Sequence, residues 1–204
     1  ISAAHPVPTE VFVHGYLTIN GQKISKSLGN VIDPLNEIER FGADPVRYYL
    51  LRALSPFEDG DYSEARFEDV YNADLANNLG NLARRVETIG AKAGHTPKPA
   101  TECEAPEGYT RAMDDWQFHE AATVLLGLAT GLNQRIETVK PWELQKAGRN
   151  EEVAAFLDEM IEGLRRVARW HTPFMPETAT KIERMFTEGK PMERGEPLFP
   201  RLGS

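Results

Sequence analysis

Cysteine is almost absent from this chain: Cys103 stands alone. One thiol closes no intramolecular disulfide and builds no Cys-rich zinc knuckle, so a reducing, cytoplasmic home is expected. Long hydrophobic runs are lacking. No stretch approaches the roughly 20 apolar residues of a membrane-crossing helix, and no basic segment leads into an apolar core as in a secretory signal. Positive charge is in deficit, with 23 Lys and Arg against 31 Asp and Glu and a net charge of −8. That balance excludes indiscriminate wrapping of nucleic acid, which rests on phosphate neutralisation. It leaves room for reading a few unstacked bases through stacking and hydrogen bonds. Metal-ligand spacing is also lacking, since His119 and His171 have no companions, and no metal site is expected. The first residue is Ile1, and a strand expected at Val11 to Leu17 has no earlier fold to pair with. Both features point to an excised or processed fragment.

What is present fits an ordinary globular chain. Its 204 residues suffice for one large domain or one domain with a small appendage, and 41% hydrophobic with 26% charged residues is typical. After the first strand, residues 21–30 (GQKISKSLGN) have loop composition. Asp33-Pro34 opens a short helix to Phe41. Asp44-Pro45 opens another, by a capping carboxylate and a proline in the first turn. Residues 56–62 form an acidic turn and a short extended piece.

From Ser63 onward the pattern is helical. The first long helix runs to about Ala93, with Leu75, Leu79, Leu82, Val86 and Ile89 on one face. A proline-rich loop through Pro97, Pro99 and Pro106 carries Cys103 as a free surface thiol. A second helix is expected from Arg111 to Thr138, with Val124, Leu128, Leu132 and Ile136 facing inward. Lys140-Pro141-Trp142 breaks it. A third spans Glu151 to Trp170 with Phe156, Met160, Leu164 and Val167 inside, and Thr172-Pro173 caps a fourth that ends near Phe186. The expected architecture is mainly α: a helix bundle over residues 63–204 behind a small α/β segment over residues 1–62.

Three places carry candidate chemistry. In Lys23-Ile24-Ser25-Lys26-Ser27, two ammonium groups and two hydroxyls sit between Gly21 and Gly29. This suits a polyanion whose charge develops during nucleotidyl transfer, where one pre-organised cation contributes ~3 kcal/mol, and the glycines let such a loop open and close. A solvated basic loop reads equally well from these five residues alone. In the first long helix, Asp74, Asn78, Asn81 and Arg85 form a polar stripe beside the apolar one. Asn81 and Arg85, one turn apart, offer donors and acceptors for the edge of an exposed base. A solvated face, or a buried network between helices, would use the same residues. Trp142 follows a helix-breaking proline that fixes its approach, which makes a stacking platform worth ~1–3 kcal/mol per base, although tryptophan also serves as a core anchor. Trp116 and Trp170 are assigned to the core, and Arg165, Arg166 and Arg169 to a solvated face.

The stretch HGYLTINGQKISKSLGNVIDP resembles the signature of class I aminoacyl-tRNA synthetases, with Ile24 where methionine is usual. FGADPVRYYLLR, PFEDGDYSEARF and YNADLANNLGNLARRV are similar to methionyl-tRNA synthetases rather than to the leucine, valine, isoleucine or cysteine enzymes. The resemblance runs from Phe12 to the PLFPRL tail. It implies that Lys26 contacts the ATP phosphates and the leaving pyrophosphate, with Lys23 assisting as the second catalytic lysine. Ser25, Ser27 and His14 would join the ATP site. It implies that Asn81 and Arg85 read the anticodon of methionine tRNA and that Trp142 stacks on an anticodon base, with Asn133 and Arg135 as lesser candidates. Residues 1–62 would then be the end of a catalytic domain with its stem-contact segment, and residues 63–204 an α-helical anticodon-binding domain.

The implied parent reaction is ATP-dependent attachment of methionine to its tRNA, Mg²⁺ accompanying the ATP. The family's HIGH-type motif, methionine pocket and zinc knuckle are not in this sequence, so the fragment is not expected to form methionyl-adenylate alone. A monomer is expected. A second possibility is a stand-alone RNA-binding helical module, a purpose for which the KISKS loop has no physical need. A structural helical partner of another protein, or a sister class I synthetase, are further alternatives.

Overall fold

The computed structural model describes residues 8–25, 27 and 29–203. It is mainly α with one small sheet. β1 (Leu17–Ile19) and β2 (Gln22–Lys23) form an antiparallel hairpin. Its turn is Asn20-Gly21, with φ of 51° and 72°, the pair of left-handed residues that matches strand twist and favours Asn-Gly. β3 (Gly60–Tyr62) joins the other edge of β1 in parallel. The strand expected at Val11 begins only at Leu17. Val11 and Val13 are 76% and 80% exposed, with no pairing partner. Asp61 locks the sheet corner by accepting from Thr18 Oγ1 at 2.6 Å and from the Gly21 amide at 2.7 Å. These two bonds hold its carboxyl below the usual range.

α1 (Pro34–Phe41) starts as the sequence predicts: Asp33 accepts from the Leu35 amide at 2.9 Å, and Pro34 fills the first position. α2 (Ala43–Arg52) differs. Asp44 lies inside its first turn and is buried, and its Oδ2 accepts from the Thr178 amide at 2.6 Å. The carboxylate thus serves the start of a helix 134 residues away.

One long helical rod follows, built from α3 (Glu64–Val70), a π-wound segment (Tyr71–Gly80) and α4 (Asn81–Ala93). Ser63 caps it, accepting from the Arg66 amide. Leu75, Leu79, Leu82 and Val86 are buried as predicted. The expected second helix is two: α5 (Glu107–Asp114) and α6 (Phe118–Val139). Trp116 separates them at φ 60°, and Gln117 donates back to the Ala112 carbonyl at 2.7 Å, closing α5. Trp116 is therefore no core anchor. It is 45% exposed and stacks on Phe12 at 5.1 Å. The buried face of α6 is Ala121, Ala122, Leu125, Ala129 and Ile136, whereas Leu128 is 37% exposed. Small alanines let neighbouring helices approach, which counting the largest side chains did not anticipate.

Lys140, at φ 51°, ends α6, and Pro141 starts α7 (Pro141–Lys146). α8 (Asn150–His171) buries Phe156, Met160, Leu164 and Val167 as expected. It also buries Arg165, which donates to the carbonyls of Lys98 and Phe186. The solvated arginine face is thus a correction at this position: two backbone acceptors satisfy the guanidinium inside the fold. Arg166 does pair with Glu162, at 3.1 Å. Trp170 is partly buried against the core. α9 (Pro176–Met185) starts at Pro176 rather than after Thr172, because Phe174 and Met175 still bond back to the His171 carbonyl. Tyr48 and Tyr49 of α2 share one hydrophobic core with the bundle helices.

Candidate functional site

The hairpin carries the basic loop. Lys23 ends β2 with its side chain exposed. Asn30 braces the loop from its far end, accepting from the Ser25 amide at 2.8 Å and donating to the Lys23 carbonyl at 3.0 Å. Ser25 and Ser27 hydroxyls lie 2.8 Å apart. Lys26 lies outside the described residues. His14 is exposed on the strand side of the hairpin, its Nδ1 2.7 Å from the Gly15 carbonyl. It stands at the edge of an apolar recess of 340 Å³ that Leu17, Leu50, Leu54 and Phe118 also line. An ammonium, two hydroxyls and an asparagine clamp form a donor set that fits phosphate oxygens.

The second site is a cleft of 310 Å³ between the long rod and α6, lined by Asn77, Asn78, Asn81, Arg85, Thr130, Asn133, Gln134 and Glu137. Every one of these side chains is polar. Asn81 is exposed. Arg85 donates to Glu137 Oε1 at 2.6 Å. Asn78 donates to Thr130 Oγ1 at 2.8 Å, and Asn133 donates to the Asn78 carbonyl and side chain at 3.2 and 3.0 Å. The floor is thus a hydrogen-bonded network, in which Asn133 Oδ1 is buried without a partner. The rim is formed by Asn81, which is exposed, and by Arg85, which is paired with Glu137.

Asp74 leaves the stripe predicted for it. In the wide π winding it turns to α2, accepting from the Tyr48 hydroxyl at 3.0 Å and lying 3.3 Å from Arg52 Nε. Burial raises its carboxyl, against the opposing pull of Arg52 and Tyr48. Asn77, Thr130, Gln134 and Glu137 are cleft residues that the sequence reading did not name. The spacing of Thr130, Asn133 (or Gln134) and Glu137 along α6, three or four residues apart, is the signal that would have found them.

Trp142 does not line this cleft. It sits in the first turn of α7, 37% exposed, five residues beyond Glu137 and past the Lys140 bend. Lys140 and Pro141 form the bend that separates it from α6, which forms the cleft wall. Arg135, also on α6, pairs with Glu159 at 2.9 Å and points to α8 instead. A larger recess of 720 Å³ lies between α9 and the C-terminal segment. Its cations Lys181, Arg184, Lys190 and Arg194 alternate with Glu87, Glu193 and Glu196, and none of the sequence-predicted site residues reaches it. Among the described residues no three His, Cys, Asp or Glu side chains group as metal ligands, and no helix is long and apolar enough to cross a membrane.

Comparison with known proteins gives one answer. Residues 1–87 match the family model described as tRNA synthetases class I (M). The chain is 35% identical to the methionine–tRNA ligase of Thermotoga maritima, over 99% of this chain and 37% of that protein. It is 37% identical to that of Synechocystis, over 89% and 37%. Among solved structures, Mycobacterium tuberculosis methionyl-tRNA synthetase in complex with methionyl-adenylate superposes with a TM-score of 0.76 at 30% identity, covering 92% of this chain and 43% of that one. The apo form of the same enzyme gives 0.77 at 27% identity. The chain spans about two-fifths of the length of these relatives.

Proposed function

Because the chain belongs to the methionyl-tRNA synthetase family and spans less than half of a member, we propose that it supplies two parts of a methionine–tRNA ligase: the phosphate-facing loop and the anticodon-reading surface. The parent reaction is the ATP-dependent joining of methionine to its tRNA in the cytoplasm, by a monomer. Residues 1–62 act as the end of the catalytic domain, and residues 63–204 as the anticodon-binding domain.

At the loop, Lys23 and Lys26 meet the phosphate charge of ATP, with Ser25 and Ser27 as hydrogen-bond donors and His14 toward the nucleoside. ATP, with Mg²⁺ accompanying its phosphates, would supply the adenylyl group that activates the methionine carboxylate, with pyrophosphate as the leaving group. The chain's own contribution is cationic stabilisation of the departing pyrophosphate, held in register by the Asn30 clamp. On this reading a stand-alone RNA-binding module is disfavoured, because RNA binding gives that loop no role.

At the cleft, Asn81 and Arg85 present amide and guanidinium groups to the edge of an unstacked base, and Trp142 offers an indole face to a neighbouring base. The observation that carries this reading is the convergence of Asn81 and Arg85 on one all-polar cleft whose floor is already hydrogen-bonded, leaving the rim to bind. The test is binding of the chain to a methionine tRNA anticodon hairpin with bases changed one at a time. Affinity is expected to drop on changing an anticodon base; equal affinity for all the hairpins would remove the assignment.

A further inference from the structure

The rod that carries Asn81 and Arg85 is wound in two ways. From Tyr71 to Gly80 it is a π-helix, with α-helix before and after. At the junction the Asn81 amide bonds Ala76 and Asn78 carbonyls, where continuous α winding would give it the Asn77 carbonyl. Such winding is rare and usually lasts a single turn. Ten residues of it need an external hold.

The C-terminal tail supplies one. Asn72 donates to the Leu202 carbonyl at 3.1 Å, and the Leu202 amide donates back to Asn72 Oδ1 at 2.9 Å. Phe199, three residues earlier, is buried and meets Tyr71 edge-on at 6.0 Å. It also covers Gly80: a Cβ there would come within 3.4 Å of the Phe199 ring and 2.9 Å of the Leu75 carbonyl. The tail thus grips the π segment at its first two residues and at its last. α2 holds the middle, through Tyr48 and Arg52 on Asp74.

The winding has a geometric consequence. In an α-helix four residues advance about 40° beyond a full turn, and in a wider turn the same four fall short. The π register therefore separates Asp74, turned to α2, from Asn78, turned to Thr130 and Asn133. It also sets the rotation at which Asn81 and Arg85 emerge.

We propose that the C-terminal tail is a positioning device for the cleft. Asn72, through its reciprocal pair with Leu202, and Phe199, through Tyr71 and Gly80, hold residues 71–80 in the π register and so fix the phase at which Asn78, Asn81 and Arg85 face α6. The effect on recognition rests on the anticodon reading above; the register itself does not.

The experiment uses the 204-residue chain with Asn72→Ala, and with Leu202→Pro, which removes the amide that donates to Asn72. The first measurement needs no RNA: scalar couplings across hydrogen bonds identify the acceptor of the Asn81 amide. Ala76 is expected in the unaltered chain and Asn77 in both variants. The second is the affinity ratio between the methionine anticodon hairpin and one with a changed anticodon base. It is expected to fall about tenfold in both variants, the scale of one lost hydrogen bond. A variant that melts earlier but keeps the Ala76 acceptor and the full ratio would make the tail a stabiliser only and overturn the proposal. An unaltered chain that ignores the anticodon would defeat the recognition reading, while the acceptor measurement would still decide the register.

Discussion

Arg85 on α4 and Glu137 on α6 are bonded at 2.6 Å across the mouth of the polar cleft. The cleft's single guanidinium is therefore engaged before any ligand arrives, by a carboxylate that is itself 65% exposed. A base edge or phosphate must displace Glu137 or share Arg85 with it. Exposed pairs of this kind are worth about 1 kcal/mol or less. Glu137→Gln should therefore strengthen binding of any single-stranded RNA several-fold while narrowing the difference between right and wrong anticodons. Titration of both hairpins at fixed salt measures this, and unchanged affinities would mean that the pair imposes no barrier.

Trp142→Ala should cost roughly 1–3 kcal/mol of hairpin affinity through lost stacking at one base. The indole is 37% exposed and the turn is set by Lys140 and Pro141, so the melting temperature should barely move. Hairpins with an abasic site at successive anticodon positions locate the base: at the correct position the variant and the unaltered chain should bind equally.

His171 is buried at the end of α8, its Nδ1 donating to the Val167 carbonyl at 2.8 Å. Burial pushes its pKa from 6.5 to about 4. The unfolded chain therefore takes up a proton below pH 6.5 that the folded chain refuses until about pH 4. Stability is fully present above pH 6.5 and falls as pH drops through that window, by about 3 kcal/mol as an upper figure. Asp74, raised by burial, has the opposite slope just above its ordinary range. The His171 contribution is therefore read as a difference: urea melts of the unaltered chain against His171→Gln should converge toward pH 4. Parallel curves would mean that the imidazole does not titrate across folding.

Gly15 approaches the turn before β3 closely. Its amide donates to the Pro56 carbonyl at 3.0 Å, and a Cβ would lie 2.0 Å from the Glu58 carbonyl oxygen. That neighbour is backbone and cannot rotate away. Gly15→Ala should destabilise the hairpin region by about 1–3 kcal/mol, the usual range for overpacking, and leave the cleft intact. Hydrogen exchange should rise at Thr18 and Asp61 but not at Asn78 or Leu82.

Much of the architecture follows from local chemistry that any reader of the sequence can see. Asp33-Pro34 starts α1, Pro141 starts α7, and Leu75, Leu79, Leu82 and Val86 face the core. These features depend on neighbours within a few residues, and so they are written in the order of the side chains. The placement of Asn81 and Arg85, one turn apart on α4, is local too. That they share a face follows from α4 alone.

The rest required the chain to fold back on itself. Asp44 looks like a cap for its own helix, and tertiary packing gives it to Thr178 instead. Asp74 has the spacing of a cleft residue, but the π winding and Arg52 turn it inward. Arg165 carries the charge of a surface residue and is buried because two distant carbonyls, of Lys98 and Phe186, happen to meet it. Glu137 enters the cleft only because α6 crosses the rod at that height. The sequence by itself determined where helices start, which stripe is apolar and which adjacent side chains share a face, since those are set by nearest-neighbour sterics and capping. Only the tertiary structure decided the partner of each buried charge and the winding of residues 71–80, because both depend on contacts made by segments up to 134 residues apart.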